Sequence, residues 1–206
     1  MPATHDVLDA LARIAGEWRW LAIGWHVAAV VAASFLLVKA ASPQRAVAVM
    51  VALPLISVSG LAWWSGNPFN GTIFAVLTVV LLAQASRLED RPLQSASPAI
   101  VAVGSILVIF GLVYPHFLAG GSRWPYLYAA PFGLIPCPTL SAITGVSLLA
   151  AGFGSRAWRF TLGLVALAYG VIGVVVLDVA IDAVLIAGAV LLLTARRRYE
   201  ATVSAA

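Results

Sequence analysis

AWRFTLGLVALAYGVIGVVVLDVAIDAVLIAGAVLLLTA, residues 157–195, is the stretch whose reading decides the fold. It runs for 39 residues with few polar side chains, and as one helix at 1.5 Å per residue it would be about 58 Å long. A bilayer's hydrocarbon core is about 30 Å thick, so a single crossing leaves far too much apolar chain over. The run therefore folds back on itself. Its only acidic residues, Asp178 and Asp182, sit near its middle and mark the turn.

The rest of the chain repeats the theme. Apolar segments of spanning length recur at 18–38, 46–64, 69–86, 99–118 and 138–154, each close to the twenty residues that cross a hydrocarbon core. The 206 residues are 62% hydrophobic and only 10% charged, against about a quarter charged in soluble domains. Mean hydropathy is +1.01. This excludes an ordinary soluble enzyme or nucleic-acid-binding domain. The expected fold is all-α: one integral membrane domain, 1–206, a polytopic transmembrane helical bundle of seven spans, or six if 157–195 crossed once.

Charge placement separates the two counts. Of the twelve basic residues, Arg13, Arg19 and Arg123 fall on one set of alternate loops. Lys39, Arg45, Arg87, Arg91, Arg156, Arg159 and Arg196 to Arg198 fall on the other, a bias of three against nine. Cytoplasmic loops carry the excess of Lys and Arg, so seven spans place the N-terminus outside and the 196–206 tail in the cytoplasm. A six-span reading would set Arg156 and Arg159 opposite the arginine cluster. Eleven of the twelve basic residues are Arg, which with the Ala, Val and Leu usage points to a GC-rich bacterial genome and hence to the inner membrane. The net charge of +4 is scattered singly and in pairs, so no nucleic-acid surface is expected.

Within 1–17, Val7, Leu8, Leu11 and Ile14 recur at helical spacing, with Asp6, Asp9, Arg13 and Glu17 mostly elsewhere on the wheel. This is an amphipathic helix lying in the membrane interface. Its acidic start and the long apolar run behind it differ from a secretory signal.

The loop at 114–139 concentrates the unusual residues: Pro115, Pro125, Pro131, Pro136 and Pro138 among eleven prolines, His116, and the only cysteine, Cys137. Pro115 ends the fourth span, Gly120-Gly121 breaks continuation, and Trp124, Tyr126 and Tyr128 are interfacial types. Pro136 and Pro138 pre-set the first turn of the fifth span with Thr139 near its start. Cys137 thus stands at a helix N-terminus, where a thiolate or anion is favoured, or serves as a small apolar residue.

Elsewhere, His26 lies about 12 Å into the first span on a stripe with Ala22, Ala29 and Ala33. It reads either as a proton, metal or haem site or as a neutral ring in one interhelical hydrogen bond. Asn70, Thr78 and Gln84 share a face of the third span, as a solute path or as interhelical bonding. Asp178 and Asp182 would stack if the turn stayed helical, binding a proton or cation, and are otherwise solvated turn residues. Together His26, Asn70, His116, Arg123, Tyr126, Cys137, Thr139, Asp178 and Asp182 are the candidate residues of one outward-facing vestibule.

Arg123-Trp124, Phe132-Gly133 leading into Pro136-Cys137-Pro138-Thr139, and then Thr144-Gly145 resemble a bacterial family of multi-pass membrane proteins with a domain of unknown function. The turn at 67–70 with Gln84 is a second, weaker match. The Pro-x-Pro-Thr element of that family carries cysteine or aspartate at its middle position, which turns attention from thiol chemistry to a polar helix start. The resemblance implies no activity.

The residues suit small-solute or ion transport first. A non-catalytic accessory or structural subunit of a membrane complex is the alternative, and a haem- or metal-binding membrane protein the third. No enzyme activity, cofactor or bound metal is expected. The partners expected are the lipid bilayer and either another membrane protein or a second copy.

Overall fold

The computed structural model describes residues 4–38, 43–94, 96–118 and 123–195. Lys39, the Gly120-Gly121 break and the 196–206 tail lie outside them. Among the described residues the chain is helical, with no strand beyond one isolated bridge between Pro43 and Pro92.

Helix α1 (Thr4–Glu17) buries Ile14 and Ala15 and leaves its charged side exposed. One residue later α2 (Arg19–Val38) begins. Helices α3 (Gln44–Ala52) and α4 (Pro54–Trp64) are one rod, because Leu53 keeps helical angles (φ −58°, ψ −40°). Proline removes a donor without ending the rod here. Next come α5 (Pro68–Ser86) and α6 (Pro98–Val113). After the short α7 (Tyr126–Ala129), α8 spans Pro136–Leu149. Pro68, Pro98 and Pro136 each open a helix, where the missing N–H would have no partner anyway. Asn67 caps α5 by accepting from the Asn70 N–H at 3.0 Å.

The stretch at 157–195 folds back as its length requires. Helix α9 (Arg156–Val171) continues through a π-helical turn, Ile172–Val176. The chain then reverses at Asp178, which has a left-handed φ of 56°, and α10 runs Ala183–Thr194. Gln44–Trp64, Pro68–Ser86 and Arg156–Val176 are each long and apolar enough to cross a membrane.

Alternate loops gather at opposite ends of the bundle. At one end Trp18 meets Trp64 edge-on at 5.5 Å, Arg19 donates to the Tyr128 hydroxyl at 2.7 Å, and Thr4 donates to the Val176 carbonyl at 3.3 Å. At the other the Gln44 N–H donates to Arg91 O at 3.0 Å. There too the Arg45 guanidinium holds Leu88 O at 2.7 and 3.1 Å, and Ala96 N–H donates to Leu149 O at 3.3 Å.

The closest helix pair is α6 with α8. A Cβ on Gly111 would stand 2.5 Å from Pro138 O, and one on Gly145 would stand 2.6 Å from Gly104 O. Backbones approach this closely only where side chains are absent. Against the other side of α8, Trp158 is fully buried and donates to Ser147 Oγ at 2.9 Å. Gly111→Val therefore lowers stability by about 1–3 kcal/mol through overpacking, read as an earlier thermal unfolding midpoint in detergent. Gly60→Ala, whose Cβ meets nothing within 4 Å, leaves the midpoint unchanged or raises it.

Candidate functional site

The 114–139 loop is built by backbone needs before it is built for chemistry. Pro115 offers no N–H, so α6 stops and its last carbonyls need other partners. His26 meets one of them: Nε2 lies 2.7 Å from Leu112 O, while Nδ1 faces Ala22 O at 2.8 Å. With a carbonyl at each nitrogen His26 braces α2 against α6, a neutral ring donating to one of the two according to its tautomer.

Further along, Gly133 turns through φ 76°, and a Cβ there would overlap the Trp25 ring. Trp25 Nε1 donates to Ser57 Oγ at 2.9 Å, and Ser57 donates to Gly133 O at 2.6 Å. Thr139 closes the turn by accepting from Gly133 N–H at 2.8 Å and donating to Ile135 O at 2.8 Å. The Phe132-Gly133 and Pro138-Thr139 pairs thus dock the loop on α2 and α4 and aim the start of α8. Thr139 is structural.

What α8 presents at that start is Cys137. Its thiol is close enough to Asp182 for the two groups to interact electrostatically. Asp182 is only 1% exposed. Although it stands at the N-cap of α10, it makes no capping bond. Its Oδ1 instead accepts from the Tyr114 hydroxyl at 2.6 Å. A Cβ on Gly173, inside the π-helical turn, would overlap this carboxylate, so that turn and that glycine make its room. π-turns of this kind are frequent at functional sites. A buried carboxylate is costly unless partnered; here the Tyr114 hydroxyl, the Cys137 thiol and the positive end of α10 surround it.

The cluster extends sideways. His116 is within electrostatic range of Asp182 and packs edge-on against Phe117 at 4.2 Å. Tyr169 lies near Cys137 and donates to Asn70 Oδ1 at 2.7 Å. Asn70, Tyr169, Cys137, Asp182, Tyr114 and His116 therefore form one polar patch joining α5, α9, α8, α10 and the end of α6.

The candidate residues divide accordingly. Asn70, His116, Cys137 and Asp182 come together, while His26 and Thr139 serve the loop's backbone. Arg123 is exposed, and Tyr126 donates to Leu118 O at 3.2 Å away from the patch. The stacked-carboxylate expectation is corrected: the left-handed turn at Asp178 breaks helical geometry, leaving Asp178 exposed and Asp182 buried. The solvated-turn reading suits Asp178 and is wrong for Asp182. Of the seam on α5, Gln84 donates to Thr161 at 2.9 Å and Thr78 to Phe74 O at 2.7 Å. Those two are packing bonds.

Sequence reasoning missed Tyr114, Tyr169 and Gly173 as members of the site. The signal was slight: a phenol near the end of one apolar run, another inside the final run, and a glycine nine residues before an aspartate.

Among the described residues no group of three His, Cys, Asp or Glu side chains is placed to hold a metal ion. No protein-family model, curated protein or solved structure matches the chain. Tyr114→Phe removes a hydrogen bond to a buried acid and lowers stability by about 1.5–3 kcal/mol. Thermal unfolding in detergent measures this, and Tyr126→Phe serves as the peripheral control with a shift of less than about 1 kcal/mol.

Proposed function

We propose that the chain is an integral protein of a bacterial inner membrane that conducts a small cation, with Asp182 as the ion-accepting group at the outer mouth of the bundle. The observation that carries this is the buried Asp182 carboxylate, held by the Tyr114 hydroxyl in a bundle whose helices are otherwise almost wholly apolar. Ionisable groups inside apolar spans are expensive and mark ion or proton routes by default. A carboxylate selects cations, which narrows the solute class.

Seven spans fit the contacts: α2, the α3/α4 rod, α5, α6, α8, α9 and α10 run between the two loop ends. The N-terminal segment then lies outside with the Asp182 patch, and the arginine-rich loops face the cytoplasm. Trp20, Trp63, Trp64 and Trp124 are exposed around the outer end, where an aromatic belt belongs. The amphipathic α1 packs with Leu61, Leu134 and Ile135 at the same end and lies in the headgroup layer.

Flux into proteoliposomes tests the reading, with an internal pH dye and with Na⁺ and K⁺ gradients. Wild type carries at least one of these cations. Asp182→Asn reduces that flux at least tenfold with its unfolding midpoint retained within a few degrees, while Asp178→Asn conducts like wild type. Equal flux through Asp182→Asn, or none through wild type, sinks the proposal and favours an accessory subunit.

A further inference from the structure

Below Asp182 the same face of α8 carries two further polar residues. Ser141 and Thr144 lie four and seven positions beyond Cys137, on one stripe of the helix and about 6 and 10 Å deeper at 1.5 Å per residue. Both residues are 0% exposed, and among the described residues neither hydroxyl has a hydrogen-bond partner. This is unusual within the chain itself. Ser34, Thr78 and Thr194 each donate back to the carbonyl four residues earlier, at 2.7 to 2.9 Å, as helix hydroxyls commonly do.

A buried polar group left unpaired costs about 1–3 kcal/mol. Two on one stripe, leading inward from the buried carboxylate, point to an occupant that donates and accepts hydrogen bonds. Helix α8 packs against α9 and α10, whose buried residues one and two turns inward from Tyr169 and Asp182 are Ala166, Leu162, Leu185 and Ala189. Two hydroxyls among such apolar walls do not supply the six or so oxygens of a desolvated metal cation. They do suit single water molecules, which need two to four polar partners.

We propose that Ser141 and Thr144 are the inner leg of a water-bridged proton route whose outer end is Asp182, so that the cation conducted is the proton. The inference rests on the permease reading and names its ion. Asp182 takes a proton from the outer side and passes it to water. Each hydroxyl oxygen in turn gains one O–H bond as it releases its own hydrogen onward, so no bond is lost overall and the transmembrane gradient supplies the drive.

The test is proton flux through proteoliposomes of Ser141→Ala, Thr144→Val and the double variant. The route predicts at least a tenfold loss in the double variant, with Asp182 intact and an unfolding midpoint close to or above wild type, because neither hydroxyl makes a bond to the protein that its removal would break. Merely structural hydroxyls would move the midpoint and leave the flux alone, overturning the route. Wild type that carries Na⁺ or K⁺ and no protons would leave the permease standing and overturn the proton. A second readout is independent of flux: small methanethiosulfonate reagents modify Ser141→Cys and Thr144→Cys in a Cys137→Ser background, and do not modify Leu140→Cys. Equal labelling of all three, or of none, also overturns the hydrated leg.

Discussion

The Tyr114 hydroxyl and the Asp182 carboxylate meet at 2.6 Å across 68 positions of sequence, and the outer half of the bundle is arranged so that they can. Tyr114 reaches inward because Pro115 stops α6 and the backbone turns out of helix at Tyr114 itself (φ −38°, ψ 109°). Asp182 reaches inward because the chain reverses at Asp178 and leaves room at Gly173. Neither group could be buried alone: a carboxylate removed from water without donors is among the least favourable things a fold can contain. The bond is therefore a condition on the helices around it as much as a contact within them.

That condition explains why the loop before α8 is so heavily constrained. Gly133, Trp25, Ser57 and Thr139 fix the angle at which α8 begins. Cys137 is the residue whose placement depends on that angle. Gly104 and Gly111 on α6 and Gly145 on α8 let the two helices approach to backbone contact, so α8 is gripped from its start to its centre. A rigid α8 keeps Cys137, Ser141 and Thr144 in one line.

Much of the architecture was legible in the sequence because it follows from lengths and proline positions. The 39 mostly apolar residues at 157–195 could not be one helix, and prolines at 68, 98 and 136 mark three helix starts. The site was harder. Asp178 and Asp182 look alike in the sequence, and what separates them is a left-handed turn beside one and a π-helical turn beside the other. His26 looked like chemistry because its partner is a backbone carbonyl on another helix, which no side-chain pattern reveals. Tyr114 and Tyr169 were overlooked because a phenol in an apolar run reads as packing until its hydroxyl's partner is known.

Cys137 has a consequence of a different kind. It is the only thiol in the chain, and it adjoins the buried carboxylate. The S–H stretching vibration absorbs in an infrared window that other protein groups leave nearly empty, and its frequency follows hydrogen bonding to the sulfur. The unmodified protein therefore carries its own spectroscopic reporter beside Asp182, one that registers a change at that carboxylate without a label, a cofactor or a substitution.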